Sequence, residues 1–185
     1  MKCKLVAITG LIGSGKSAVG NYLRQRGLCV VDCDEISRKI AQRPDVLKEV
    51  EQLLGTQAVV DGTLNRAYIR SVVFGDKQLL DSYNAIFHNK INQEILKLEH
   101  SSNEVVFVEV PLMDAVDIDW YKVWNVTMPE QLRLSRASAR DGKDVEDIRR
   151  ISAMQKIYKG DCAEVVNDGD IASLHGRIDD LLKQL

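Results

Sequence analysis

The segment that constrains this chain most is an apolar run, Leu5-Val6-Ala7-Ile8, that passes through Gly10-Leu11-Ile12-Gly13-Ser14-Gly15-Lys16-Ser17 into Ala18-Val19-Gly20-Asn21-Tyr22-Leu23. The middle stretch reads G-x-x-x-x-G-K-S between a strand pattern and a helix pattern, the context in which such a loop holds phosphate. Gly10, Gly13 and Gly15 allow backbone conformations that a Cβ forbids, so successive N–H groups can turn toward one anion. The following helix adds its unpaired first amides and the positive end of its dipole. Lys16 stands where an ammonium reaches β and γ phosphates, and Ser17 where a hydroxyl ligates Mg2+. The expected guest is a nucleoside triphosphate; the alternative is a glycine-rich turn with Lys16 merely solvated.

A length of 185 residues suits one substantial core with insertions. The chain is 45% hydrophobic and 28% charged, and its net charge of −2 gives no general attraction to nucleic acid or to a membrane surface. The first apolar run is short and ends in the glycine loop, unlike a signal peptide, and no stretch approaches the roughly 20 apolar residues of a membrane span. Cys3, Cys29, Cys33 and Cys162 form no C-x-x-C pair and no zinc-spaced cluster with histidine. Reduced thiols in a cytoplasmic protein are expected. Cys33, between Asp32 and Asp34, lies either near the chemistry or serves as a small apolar filler.

The first strand is expected over about residues 4–9, and its helix to about Arg26, with Gly27 just past the end. Leu28-Cys29-Val30-Val31 reads as a second strand, so strand, helix, strand gives a parallel α/β unit. Asp32 and Asp34 follow it, at the sheet end where ligands of parallel α/β proteins collect. One of them can take a proton from an attacking hydroxyl or help hold the metal, and one is enough for a helix cap. From Pro44 to about His100 the pattern is mainly helical, with a small hairpin about Asp61-Gly62 and helices opened by Asn65 and Asp76. This insertion is the natural place for an acceptor-binding subdomain.

Glu104 to Val110 reads as a buried strand ending in Glu109, a carboxylate placed either to face magnesium or to meet solvent. Tyr121 to Thr127 returns as another strand, and Pro129 starts a helix. Arg133, Arg136 and Arg140 recur at helical spacing, which puts three guanidiniums on one face. Asp141-Gly142-Lys143 breaks that helix and a second follows, amphipathic through Ile148, Ile151 and Tyr158. Two helices with arginines at their junction read as a lid over triphosphate, against the alternative of a solvated stripe. Glu164-Val165-Val166 is a last short strand, Asn167-Asp168-Gly169 a turn expected near the nucleotide base, and Ile171 to Leu185 a closing amphipathic helix.

Together these residues resemble the dephospho-coenzyme A kinase family over almost the whole chain. Thr9 to Ser17 is similar to the family's loop, and Asp32-Cys33-Asp34-Glu35-Ile36-Ser37-Arg38 to its D-x-D segment. Leu64-Asn65-Arg66 through Val73-Phe74, His88-Asn89-Lys90-Ile91 and Val110-Pro111-Leu112 match further segments. Gln131, Arg136, Arg140-Asp141-Gly142 and Gln155 fit its lid and the helix after it. The sequence departs at Asn65 (Asp in the family), at Asn89 (proline) and at Met113-Asp114-Ala115, where a glutamate is usual.

The resemblance implies a three-layer α/β P-loop kinase fold: a parallel sheet flanked by helices, a helical acceptor-binding insertion and a short helical lid. The core is expected at about 1–43, 101–128 and 160–185, the insertion at 44–100 and the lid at 129–159. It implies phosphorylation of the ribose 3′-hydroxyl of dephospho-coenzyme A by ATP with Mg2+. Leu11, Ile12, Gly13, Ser14, Gly15, Lys16, Ser17, Ala18, Arg136 and Arg140 would hold ATP, and Ser17 and Glu109 the metal. Lys16, Asp34 as base and Arg140 would be catalytic, and Asp34, Arg66 and His88 would meet the acceptor. The alternatives are a P-loop kinase for another small acceptor, such as a nucleoside monophosphate, and a non-catalytic ATP sensor.

Overall fold

The computed structural model describes residues 2–185, which divide into two compact units. One comprises the chain through Asp32 together with Leu98–Leu185; the other is Cys33–Lys97.

The first unit is built on five parallel strands: β1 (Lys4–Thr9), β2 (Cys29–Asp32), β5 (Val105–Glu109), β6 (Lys122–Thr127) and β7 (Ala163–Val166), in the order β2-β5-β1-β6-β7. β1 is central, pairing Ile8 with Glu109 on one side and with Trp124 on the other. Its residues Leu5 to Ile8 are all buried, because a parallel strand covered on both faces needs no polar alternation. Helices α1 (Lys16–Gln25) and α8 (Ile171–Leu182) cover one face, where Val19, Leu23, Leu174 and Ile178 pack on Val6, Ile8, Phe107 and Trp124. Tyr22 ties the two helices together, stacking on His175 at 3.7 Å and donating to Asp179 at 2.9 Å. α1 ends where Gly27 takes φ 77°, as expected for the residue past a helix end. Beyond β6 come α6 (Glu130–Asp141) and α7 (Val145–Met154), separated by Gly142 in the left-handed region and capped by Asp144.

The second unit holds α2 (Cys33–Ile40), α3 (Pro44–Leu54), the two-residue strands β3 (Val59–Val60) and β4 (Thr63–Leu64), α4 (Arg66–Val73) and α5 (Lys77–Lys97). α2 follows β2 without a break and packs on α5. Asp61 and Gly62 both take positive φ, 50° and 69°, the conformation that a two-residue hairpin turn demands. Asn65 caps α4 by accepting from the Tyr68 N–H, and Asp76 likewise accepts from Leu79 at the start of α5. A charge network joins α3 to α5: Lys90 pairs with Glu49 at 2.9 Å and Asp45 at 3.3 Å, while Arg43 grips Asp45 and reaches Glu94.

The hydrogen bonds from Arg43 hold the Asp45 carboxyl down at about 2, against an ordinary 3.8. A depressed carboxyl contributes stability above its unfolded value and loses it as pH falls through the folded one. Asp45→Asn should therefore lower Tm at neutral pH, and the gap to wild type should close between pH 3.8 and about 2 in thermal melts.

Candidate active site

The glycine loop joins β1 to α1, and three neighbouring segments fix its shape. Gly10 takes φ 144°, Gly13 80° and Gly15 100°. At each, a Cβ would overlap a neighbour: the Val126 carbonyl at Gly10, the Arg133 carbonyl at Gly13 and the Asn167 amide at Gly15. Glycine is thus required twice over, by backbone angle and by the approach of β6, α6 and the residue after β7. The loop closes on itself through Ser14 N–H to the Leu11 carbonyl, 3.1 Å.

Side chains brace the same loop. Asn167, 6% exposed, donates from Nδ2 to the Ser14 carbonyl at 2.9 Å, and its own N–H donates to the Thr127 carbonyl at 2.8 Å. Arg133 donates from Nη1 to the Ile12 carbonyl at 2.9 Å, and the Ile12 N–H donates to Gln155 Oε1 at 2.7 Å. Among the described residues the N–H groups of Gly13 and Gly15 donate to no protein acceptor. Lys16 curls over the loop, its Nζ donating to the Gly10 carbonyl at 2.7 Å, with the Leu11 carbonyl at 3.4 Å. An ammonium on a flexible stem, in the same loop as unpaired amides at a helix N-terminus, suits an anion. A cavity of about 120 Å3 opens beside it, lined by Thr9, Gly10, Asn125, Arg133 and Ser14, whose hydroxyl is buried.

At the carboxyl ends of β2 and β5, Asp32 and Glu109 stand side by side. Glu109 lodges one oxygen against Gly20 and pairs with Arg24 at 3.1 Å. Burial pushes its carboxyl above the ordinary value against the pull of Arg24, and Asp32 adds to the rise. Ser17 lies exposed one helical turn before Gly20, toward the loop. One hydroxyl and two carboxylates are the hard oxygen donors that suit Mg2+, so the residues fit that ion.

The arginine stripe does not survive as three equivalent side chains. Arg133 is 5% exposed and faces the loop, whereas Arg136 and Arg140 are exposed. Adjacent positions on α6 differ because its inner face, with Leu134 and Ala137, is pressed on Ile12 and Ile148. Arg140 forks onto its neighbour Asp141, Nε to Oδ1 at 2.6 Å and Nη2 to Oδ2 at 3.0 Å. This exposed pair is worth little to stability.

Leu11, Ile12 and Ala18 are half-buried; Ala18 packs at the margin of the main core. In the second unit, Asp34 lies in the first turn of α2, Arg66 opens α4 exposed, and His88 is half-buried on α5. Arg66 acts electrostatically on Tyr83, which contacts Phe87 with ring centroids 5.2 Å apart. Cys33 is buried, and all four cysteines are free thiols. The bracing role of Asn167 was not apparent from sequence. The sequence places its turn near the nucleotide base, whereas the structure puts its side chain on the Ser14 carbonyl of the loop.

A five-stranded parallel sheet with a G-x-x-x-x-G-K-S loop between its central strand and first helix defines a phosphate-loop nucleotide-binding fold. The model of the dephospho-CoA kinase family matches residues 4–172. The chain belongs to that family. It is 34% identical to a dephospho-CoA kinase of Deinococcus radiodurans, over 97% of this chain and 91% of that one. To a dephospho-CoA kinase of Idiomarina loihiensis it is 33% identical, over 98% and 91%. The crystal structure of TT1252 from Thermus thermophilus superposes with a TM-score of 0.83 at 27% identity, covering 100% of this chain and 99% of that one. A dephospho-CoA kinase from Campylobacter jejuni shares the fold, with a TM-score of 0.59 at 21% identity over 98% and 96%.

Asn167→Ala should leave the Ser14 carbonyl without its buried donor, at a cost of about 1–3 kcal/mol. That is a fall in Tm of about 2–4 °C per kcal/mol for a chain of this size. Asn167→Asp should lose more, because a carboxylate would face a carbonyl. Thermal melts and ADP titration of both variants check the order.

Proposed function

We propose that this protein transfers the γ-phosphoryl group of ATP to the ribose 3′-hydroxyl of dephospho-coenzyme A, giving coenzyme A and ADP. The observation that carries the proposal is the preformed loop. Among the described residues its Gly13 and Gly15 amides have no protein acceptor, and Lys16 reaches back to the Gly10 carbonyl of the same loop, in a chain that belongs to the dephospho-CoA kinase family. The hydroxyl oxygen bonds to the γ-phosphorus, the bond from that phosphorus to the bridging oxygen breaks, and the hydroxyl proton passes to Asp34. The transition state is loose, so catalysis is mainly positioning and charge stabilisation.

In this reading Lys16 and the amides of residues 11–18 hold the phosphates. Ser17, with the Asp32 and Glu109 carboxylates, would hold Mg2+, which would supply charge neutralisation on the phosphoryl oxygens. Arg136 and Arg140, on a lid formed by about residues 129–159, close over the transferring group and keep out water, which would compete as acceptor. The insertion at about 44–100, with Arg66 and His88, receives the acceptor. In this reading the enzyme works in the cytoplasm, where four free cysteines are at home.

The purified chain should form coenzyme A from dephospho-coenzyme A and ATP, and nucleoside monophosphates should not compete. Preferred phosphorylation of a monophosphate would overturn the proposed acceptor. Lys16→Ala and Arg140→Ala should each lower kcat by about 10²–10³. Asp34→Asn should leave ATP affinity nearly intact while kcat falls; a large loss of ATP binding with unchanged single-turnover chemistry would remove Asp34 as the base.

A further inference from the structure

One residue of the loop, Ile12, is held from three sides. Arg133 bonds its carbonyl, Gln155 accepts its N–H, and its side chain packs on Leu134, Ala137 and Ile148. The two bonds act on consecutive peptide planes. A peptide unit is planar and trans, so its C=O and N–H point in opposite directions. With the Ile12 carbonyl held by Arg133, the N–H of Gly13 must point away from that guanidinium. With the Ile12 N–H held by Gln155, the Leu11 carbonyl points the other way, where it meets the Ser14 N–H and Lys16 Nζ.

The turn so formed has a known competitor. Leu11 to Ser14 is a hydrogen-bonded β-turn with a positive φ only at its third residue, Gly13 at 80°, which is the type II form. Type I differs mainly by a rotation of roughly 180° of the central peptide, here Ile12–Gly13. That rotation would put the Ile12 carbonyl oxygen where the Gly13 N–H now stands and aim a negative dipole at an incoming phosphate. Glycine at 13 tolerates either form, so the choice falls to the surroundings.

Arg133 supplies the bias. Its side chain is buried, burial lowers its pKa, and among the described residues it forms no ion pair. The Ile12 carbonyl is its hydrogen-bond acceptor, and a peptide flip would leave a buried guanidinium without it. Gln155 constrains the preceding peptide and so limits the hinge about which the flip would turn.

We infer that Arg133 and Gln155 are positioning residues of the phosphate loop, which hold the Ile12 peptides so that the Gly13 N–H faces the nucleotide phosphates. This rests on the reading of the loop as the seat of ATP. It also divides the labour on α6, whose buried arginine shapes the seat while the exposed ones are left to meet the ligand.

The test uses the full-length chain and fluorescent N-methylanthraniloyl derivatives of ADP and AMP, titrated without acceptor. Arg133→Met keeps much of the side-chain volume and removes the donors; Gln155→Met removes the acceptor and leaves Arg133 in place. Each should weaken the ADP derivative by about tenfold or more, the scale of one hydrogen bond to a charged group. The AMP derivative should change by less than about threefold, since a misdirected amide is felt mainly by the outer phosphates. The Gly13 amide resonance, which should shift strongly on ADP addition in the wild type, should move little in either variant. Guanidinium chloride at a sub-denaturing concentration should restore ADP binding to Arg133→Ala, and sodium chloride should not. Unchanged ADP affinity in folded variants, or an equal loss for ADP and AMP, would overturn the inference. If Arg133→Met fails to fold, Gln155→Met and the Gly13 resonance still decide it. Failure of the wild type to make coenzyme A while binding ADP would sink the proposed reaction alone.

Discussion

Backbone amides carry like partial charges and each ordinarily finds an acceptor, so a loop that turns several of them toward one point must be held there by its neighbours. Three segments do the holding in this protein. Asn167 takes the Ser14 carbonyl, Arg133 takes the Ile12 carbonyl, and Gln155 takes the Ile12 amide. These braces leave the Gly13 and Gly15 amides without a protein acceptor among the described residues. The three glycines follow from the same constraint, since the Val126 and Arg133 carbonyls and the Asn167 side-chain amide approach too closely for any Cβ.

The fold can be understood as the means of bringing those braces together. Placing β6 beside β1 brings the Val126 carbonyl against Gly10, and placing β7 beside β6 lets Asn167 reach Ser14. α6 leaves β6 after Pro129 and lays Arg133 across the loop within its first two turns. α6 therefore has two characters along its length. Its first half is packed into the loop, and its end carries an exposed Arg140 whose fork rests on Asp141. A helix fixed at one end and solvated at the other can position a charge without burying it.

The acidic strand ends show how burial and charge compete. Glu109 is held by Arg24 yet its carboxyl is raised, because desolvation outweighs the ion pair and Asp32 adds a like charge. In the second unit the balance reverses: Asp45 is exposed, meets both Arg43 and Lys90, and is depressed to about 2. The same side-chain chemistry thus sits buried in an ion pair in one place and ties helices together in another.

Much of the architecture was legible in the sequence because its signals are local. Apolar runs gave the parallel strands, Gly27 and Gly142 marked helix ends, Asn65 and Asp76 marked helix starts, and Asp61-Gly62 marked the hairpin. The G-x-x-x-x-G-K-S loop determined by itself that an anion seat would form between the first strand and first helix. Tertiary structure alone decided which side chains shape that seat. Arg133, Arg136 and Arg140 are equivalent by spacing, and only packing of α6 against Ile12 and Ile148 buries the first and exposes the others. Asn167 and Gln155 lie 153 and 143 residues from their partners in the loop, and such contacts leave no periodicity to read. A glycine loop encodes its own permissiveness; the conformation it settles into is chosen by groups that only the folded chain brings within hydrogen-bonding distance.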